Sequence, residues 1–160
     1  MTRTEWDPEN LPNLSGRSYL VTGATRGLGF FACEQLAGAG AHVLLTGRNP
    51  NKMSAAKAAI KRSTPDASIE TLLLDTSNMG SVRAAAATAR ARGRLDGLLL
   101  NAGIVHPPKE RETAGGHELV FATNVLGHFA LAGELLKPLA AARGRMVWVG
   151  SMSTSLWRHV

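Results

Sequence analysis

The sequence predicts an α/β fold: one doubly wound parallel sheet of about five strands, with helices on both faces. Three observations point to it. Short apolar runs alternate with longer amphipathic runs along the whole chain, a pattern that makes crossover connections and a parallel sheet. The short runs are nearly continuous in apolar residues, as strands buried on both faces require. Residues suited to ligand chemistry recur at the carboxyl ends of those runs, where open α/β sheets bind their ligands. At 160 residues and 44% hydrophobic content, the chain is long enough for one domain with a core.

Residues 1–16 read as an irregular arm, with Trp6, Leu11 and Leu14 available to pack on a domain spanning 17–160. Strand one is 18–21. It runs into Thr22-Gly23-Ala24-Thr25-Arg26-Gly27-Leu28-Gly29, which opens a helix over 30–39. These glycines let the backbone turn tightly and come close to a ligand. The helix start presents unpaired N–H groups and a positive dipole end, which suits a pyrophosphate. The strand–turn–helix context makes the glycine pattern meaningful; otherwise it would be a turn that merely fits helix to strand. Leu28, Ala32, Leu36 and Ala39 are the expected inner face of this helix, and Gly38 and Gly40 end it.

Strand two is 42–46. Gly47-Arg48-Asn49-Pro50 turns into a second helix whose inner face is Met53, Ala56, Ala59 and Ile60, broken at Thr64-Pro65-Asp66. Strand three is 69–74 and ends at Asp75. Ser77 or Asn78 caps the third helix, which turns Val82, Ala85, Ala86 and Ala89 inward and stops at Gly93. Strand four, 95–100, leads to Asn101-Ala102-Gly103, and a loop with Pro107 and Pro108 runs to about Gly116. A long helix then carries Leu119, Val120, Thr123, Gly127, Ala130, Leu131, Leu135 and Leu139 on one side, with Gly144 after it. Strand five, 145–149, reaches Gly150-Ser151. The expected strand order is 3-2-1-4-5, with the ligand where the order reverses.

Composition narrows the function classes. Lysine and arginine outnumber acids 18 to 12, a net charge of +6, but they are scattered and only one tyrosine is present. A nucleic-acid surface would show a basic stripe, so none is expected. Cys33 is the only cysteine, which excludes an intramolecular disulfide framework and fits a reduced cytoplasmic setting. His42, His106, His117, His128 and His159 fall on different elements with no i, i+4 pair, so no metal site is expected. The first 16 residues lack an apolar centre, and no apolar run approaches membrane-spanning length.

The end of strand two discriminates between nicotinamide cofactors. An acid there would bond a ribose diol and repel a 2′-phosphate. Here the position is Gly47, followed by Arg48, with Arg26 inside the glycine turn. Two guanidinium groups could clamp a phosphate with charge-assisted bonds; the alternative is that both simply face water.

Taken together, these features resemble the short-chain dehydrogenase/reductase family, from about Leu14 to Ser151. The spacing G-x-x-x-G-x-G with Thr22 in front is similar to its cofactor motif, and Asn101-Ala102-Gly103 to its Asn-Asn-Ala-Gly segment. The stretch Phe121 to Phe129 resembles the branch of retinol-dehydrogenase-like enzymes. The resemblance implies a Rossmann-type fold and NADP(H), with NAD(H) the lesser candidate. Cofactor contacts would come from Gly23, Thr25, Arg26, Gly27, Leu28, Gly29, Arg48, Asp75, Asn101, Ala102 and Gly103. It implies that Asp75 bonds the adenine amino group, that Asn124 holds a water of the proton relay, and that Ser151 hydrogen-bonds the substrate carbonyl. Other readings stay open: a helix-capping acid at Asp75, a plain turn at Asn101, a helix–sheet bond at Asn124, a loop serine at Ser151, or Ser153 in its place.

The family's Tyr-x-x-x-Lys, its proton donor and helper, has no counterpart, since the single tyrosine is Tyr19 in strand one. The sequence is therefore expected to be the amino-terminal part of a longer, homo-oligomeric oxidoreductase of small carbonyl or alcohol substrates, inactive alone. The alternative is a non-catalytic NADP(H)-binding module serving as sensor or partner domain. A sugar-nucleotide epimerase of the extended branch is disfavoured by its different glycine spacing.

Overall fold

The computed structural model describes residues 7, 10–105 and 111–151. Trp6, His106, Pro107, Pro108, Ser153 and His159 lie outside the described residues. Five strands, β1 (Ser18–Val21), β2 (His42–Gly47), β3 (Ser68–Leu73), β4 (Gly97–Leu100) and β5 (Arg145–Trp148), form one sheet in the order β3-β2-β1-β4-β5. Every pairing is parallel. The helices are α1 (Gly27–Gly38), α2 (Pro50–Ser63), α3 (Met79–Ala91), α4 (Leu119–Phe121) and α5 (Gly127–Ala141). A π-helical turn (Ala122–Leu126) joins the last two. The expected architecture and strand order are what the chain adopts.

Strand alternation divides the core into two layers. Leu20, Leu44, Leu72, Leu98 and Leu100 face α3 and α5. Val21, Val43, Leu45 and Ile69 face the opposite side, packed with Cys33 and Ala37 of α1, Met53 and Ile60 of α2, and Leu14 of the arm. Burial pushes the Cys33 thiol up to about 12, so it stays protonated and inert.

The face of α3 is as its spacing predicts, with Val82, Ala85, Ala86 and Ala89 buried; on α2, Met53, Ala56 and Ile60 are buried as expected, whereas Ala59 is only half-buried. Asn49 and Asn78 cap these helices through their side-chain oxygens, at 3.0 Å from the amides of Lys52 and Ser81. The face of α1 is a correction. Its buried stripe is Gly29, Cys33 and Ala37, whereas Leu28 is 73% exposed and Ala32 and Leu36 are only half-buried. This helix is apolar nearly all round, so periodicity alone does not select a face. The close seat of Gly29 selects it: a Cβ there would lie 2.6 Å from both Gly23 O and Asn101 Nδ2.

The last helix also departs from its expected face. Ala122, His128 and Ala132 join Thr123, Gly127, Leu131, Leu135 and Leu139 inside, while Leu119, Val120 and Ala130 are only half-buried. The π turn widens the helix and shifts its phase. The helical run Leu119–Ala141 is 23 residues long and contains an 18-residue window with a mean hydropathy of 1.5, long and apolar enough by composition to cross a membrane. This corrects the expectation from the sequence, although its buried stripe is that of a core helix. After α5 it is Arg143, not Gly144, that turns left-handed, at φ 52°. Gly144 is reserved for close packing, since a Cβ there would lie 2.7 Å from Leu95 O.

Strand β4 starts at Gly97, two residues later than expected, because Asp96 acts as a clasp. Its buried carboxylate accepts the Ser18 N–H at 2.9 Å and the Arg94 guanidinium at 2.7 and 2.5 Å, tying the starts of β1 and β4 together. Burial alone would raise this carboxyl; the Arg94 and Ser18 bonds, with the charges of Arg94 and Arg17, outweigh it and hold it below its ordinary value.

Two predictions follow from this packing. A Cβ at Gly127 would fall 1.9 Å from the Thr76 carbonyl oxygen, whereas one at exposed Gly133 meets nothing within 4 Å. In urea unfolding, Gly127→Ala should lose more than about 2 kcal/mol and Gly133→Ala should gain about 0.5–1 kcal/mol. Equal behaviour of the two variants would contradict the packing of α5 on the β3–α3 turn. The Asp96 clasp gives a pH dependence. Its folded pKa lies below its unfolded one, so its stabilisation is complete above about pH 4 and is lost as pH falls through the folded value. Asp96→Asn should lower stability at pH 7 and flatten the acid limb of a stability–pH curve.

Candidate active site

The candidate site lies where the carboxyl ends of β1 and β4 flank the turn after β1. Three glycines serve it in different ways. Gly23 has φ 65°, and a Cβ there would come 2.8 Å from Ala102 Cα, so it needs both the left-handed angle and the absence of a side chain. Gly27 needs only its angle, φ 58°, with open space around it. Gly29 needs only the close approach to Gly23 and Asn101. The result is a bare backbone cradle at the start of α1.

That helix start has no side-chain cap and no acid in its first turn. By contrast, α2, α3 and α4 are capped by Asn49, Asn78 and Glu118. The first-turn amides of α1 are therefore left for a ligand, and helix geometry aims them at an anion. The cradle fits a dinucleotide pyrophosphate.

Thr25 packs against the end of β2: a Cβ on Gly47 would lie 2.9 Å from Thr25 Cγ2. Arg26 and Arg48, the chain neighbours of these two touching residues, are both exposed. Neither guanidinium has an ion-pair partner among the described residues. Leu28 stands exposed beside the cradle.

Asp75 follows β3, but it is not the cap of α3, which is Asn78. Its Oδ1 accepts the Ser77 amide at 3.0 Å and hydroxyl at 2.7 Å, and its own amide donates to Ser81 Oγ. Its Oδ2 accepts nothing among the described residues and can meet a donor.

Asn101 ties the strand ends together, donating from Nδ2 to Thr22 O at 3.0 Å. The Thr22 hydroxyl oxygen accepts the amides of Asn101 at 2.8 Å and Ala102 at 2.9 Å. Gly103 follows with its Cβ position 3.5 Å from Asn124 Oδ1.

Asn124 sits in the π turn. Its Oδ1 accepts the Ile104 amide at 2.9 Å, and its Nδ2 donates to the Ile104 carbonyl at 3.0 Å, a two-point clamp on the chain beyond β4. The side-chain amide is thus spent on structure. Its main-chain carbonyl accepts His128 Nδ1–H at 3.1 Å. Ser151 is exposed just beyond β5, at the same end of the sheet.

His128 is the residue that sequence reasoning missed. The sequence shows it only as one of five histidines that form no metal set, yet it is 1% exposed and bonds Thr22 Oγ1 through Nε2 at 2.9 Å. Burial lowers its pKa, opposed by the bond to the Asn124 carbonyl, so the ring is held neutral. The available signal was a histidine one residue after Gly127, on the side of the helix that also carries Leu131 and Leu135.

Comparison with known proteins agrees with this geometry. The sequence profile of the short chain dehydrogenase family matches residues 17–158. A short-chain dehydrogenase/reductase of Aspergillus calidoustus is 39% identical over 133 residues, covering 82% of this chain and 42% of that protein. A polyprenol dehydrogenase of Danio rerio is 36% identical, covering 81% of this chain and 40% of that protein. The crystal structure of a 3-oxoacyl (acyl-carrier-protein) reductase from Agrobacterium tumefaciens C58 with NADP bound superposes with a TM-score of 0.74. It is 32% identical and covers 88% of this chain and 54% of that one. The chain thus spans roughly half or less of the length of these relatives. On the match across nearly its whole length, the chain belongs to the short-chain dehydrogenase/reductase family.

Proposed function

We propose that this chain is the cofactor-binding part of an NADP(H)-dependent oxidoreductase acting on a small carbonyl or alcohol substrate. The observation that carries the reading is the rim at the end of β2, where Arg26 and Arg48 stand exposed beside a buried glycine in place of an acid. The uncapped start of α1 supports it, as does the NADP bound to the Agrobacterium reductase.

In this reading the bound cofactor supplies hydride transfer at the nicotinamide. The residues of this chain bind and orient. The α1 amides take the pyrophosphate, Arg26 and Arg48 take the 2′-phosphate, Asp75 Oδ2 takes the adenine amino group, and Asn101-Ala102-Gly103 bounds the ribose. Ser151 hydrogen-bonds the substrate carbonyl, and Asn124 contributes to the proton relay through its main-chain carbonyl. We propose a homo-oligomer for the full-length protein. The outward residues Phe121, Val125, Phe129 and Leu136, between 40% and 72% exposed, support that reading as an apolar face fit for a second copy.

Arg48→Ala should weaken NADPH binding about ten- to a hundredfold in titration calorimetry and leave NADH binding nearly unchanged. Equal losses for both cofactors would remove the phosphate clamp. The 160 residues alone should show no steady NADPH oxidation with aldehydes or ketones, because no tyrosine–lysine pair is present to donate the proton. Such acid–base help is worth roughly 10²–10⁴-fold. Clear turnover that is lost in a Ser151→Ala control would show that this chain already holds a sufficient acid.

A further inference from the structure

The Thr22 hydroxyl has one proton and two acceptor lone pairs. The amides of Asn101 and Ala102, at 2.8 and 2.9 Å, use both lone pairs. The proton then has two acceptors within reach. One is Leu99 O at 3.4 Å, which already accepts the Thr22 amide at 2.9 Å. The other is His128 Nε2 at 2.9 Å, the nearer and otherwise unused. On the far side of the ring, Nδ1 faces the Asn124 carbonyl, which can only accept, so Nδ1 carries the ring proton. Every donor and acceptor along the series from the Asn101 and Ala102 amides through Thr22 and His128 to the Asn124 carbonyl then matches if the ring is neutral. Trp148 meets the ring edge to face at 5.8 Å and 88°, which fixes its plane from β5.

We propose that His128, as the Nδ1–H tautomer, is a positioning residue for the cofactor-facing edge of the sheet. It takes the Thr22 proton, so that both Thr22 lone pairs stay on the Asn101–Ala102 amides, and it holds the Asn124 carbonyl within the π turn. A satisfied core histidine would need only partners. This one joins the glycine turn, the end of β4, the π turn and the end of β5, at a sequence separation of 106 from Thr22. Its effect on cofactor affinity rests on the function proposed above; the hydrogen-bond assignment does not.

The test is nitrogen NMR on the 160-residue chain labelled at histidine, with amide exchange and NADPH titration on variants. The His128 ring should show a protonated Nδ1 and an acceptor Nε2; the opposite tautomer, or an imidazolium at neutral pH, would overturn the assignment. His128→Phe keeps a ring against Trp148 and removes both hydrogen bonds. It should speed exchange at Asn101 and Ala102 about tenfold and weaken NADPH binding about tenfold, as the loss of a hydrogen bond predicts. His128→Gln, which keeps an acceptor within reach of Thr22, should restore most of both. In a Thr22→Val background His128→Phe should add nothing at those two amides. Unchanged exchange and affinity in His128→Phe, or faster exchange spread evenly over Leu20, Val21, Asn101 and Ala102, would reduce His128 to a core residue and end the proposal. Should His128→Phe not fold, the tautomer and His128→Gln decide it. Should the parent chain not bind NADPH, the proposed function fails, while exchange and tautomer still judge His128.

Discussion

Close contact between two stretches of backbone sets the geometry of the whole carboxyl end of the sheet. Gly23 and Ala102 lie so near that a Cβ on Gly23 would reach 2.8 Å from Ala102 Cα, and Gly29 rests against Gly23 and Asn101. No side chain can stand between them, so the start of α1 is pressed onto the ends of β1 and β4. Polar groups brought this close must be paired. Thr22 and Asn101 do this within the seam, through bonds to amides and carbonyls on both strands. The first-turn amides of α1 have no side-chain cap and, by helix geometry, no partner within their own helix.

The same seam reaches the other half of the domain through His128. Helix α5 is held on the sheet by Leu131, Leu135 and Leu139, and at its start by Gly127 against Thr76. The π turn before it lets Asn124 point its side chain at Ile104 while its carbonyl turns to His128. A regular helix would have no reason to open there. The two-point clamp and the imidazole bond offset the cost of the irregular turn.

The opposite end of the sheet is held differently. Asp96 there uses a charge with an arginine and an amide around it, a clasp that depends on ionisation, whereas the Thr22–Asn101–His128 seam at the carboxyl end pairs neutral donors and acceptors. Strand β5 pairs only with β4 among the described residues and is exposed along its length, with Val147 at 52% and Trp148 at 42%.

Much of this was legible in the chain itself. Alternating apolar runs determined the strands and their parallel crossovers, with the order following from the doubly wound pattern, and the spacing in α3 and most of α2 determined their buried faces, because those helices are amphipathic and carry asparagine at their caps. The glycine turn, the missing acid at Gly47 and the residues at the strand ends could be placed from local chemistry alone. Tertiary structure decided what no local pattern encodes. It chose Cys33 over Leu28 as the inner side of α1, because a helix apolar all round has no preferred face until Gly29 is seated. It put a left-handed residue at Arg143 after α5, while Gly144 packs closely against Leu95 O. It shifted the phase of the last helix by a π turn and so carried His128 to Thr22, a contact across 106 residues. Periodicity reports which residues share a side; which partner that side meets, and which polar atoms must then match, is fixed only when distant segments close on one another.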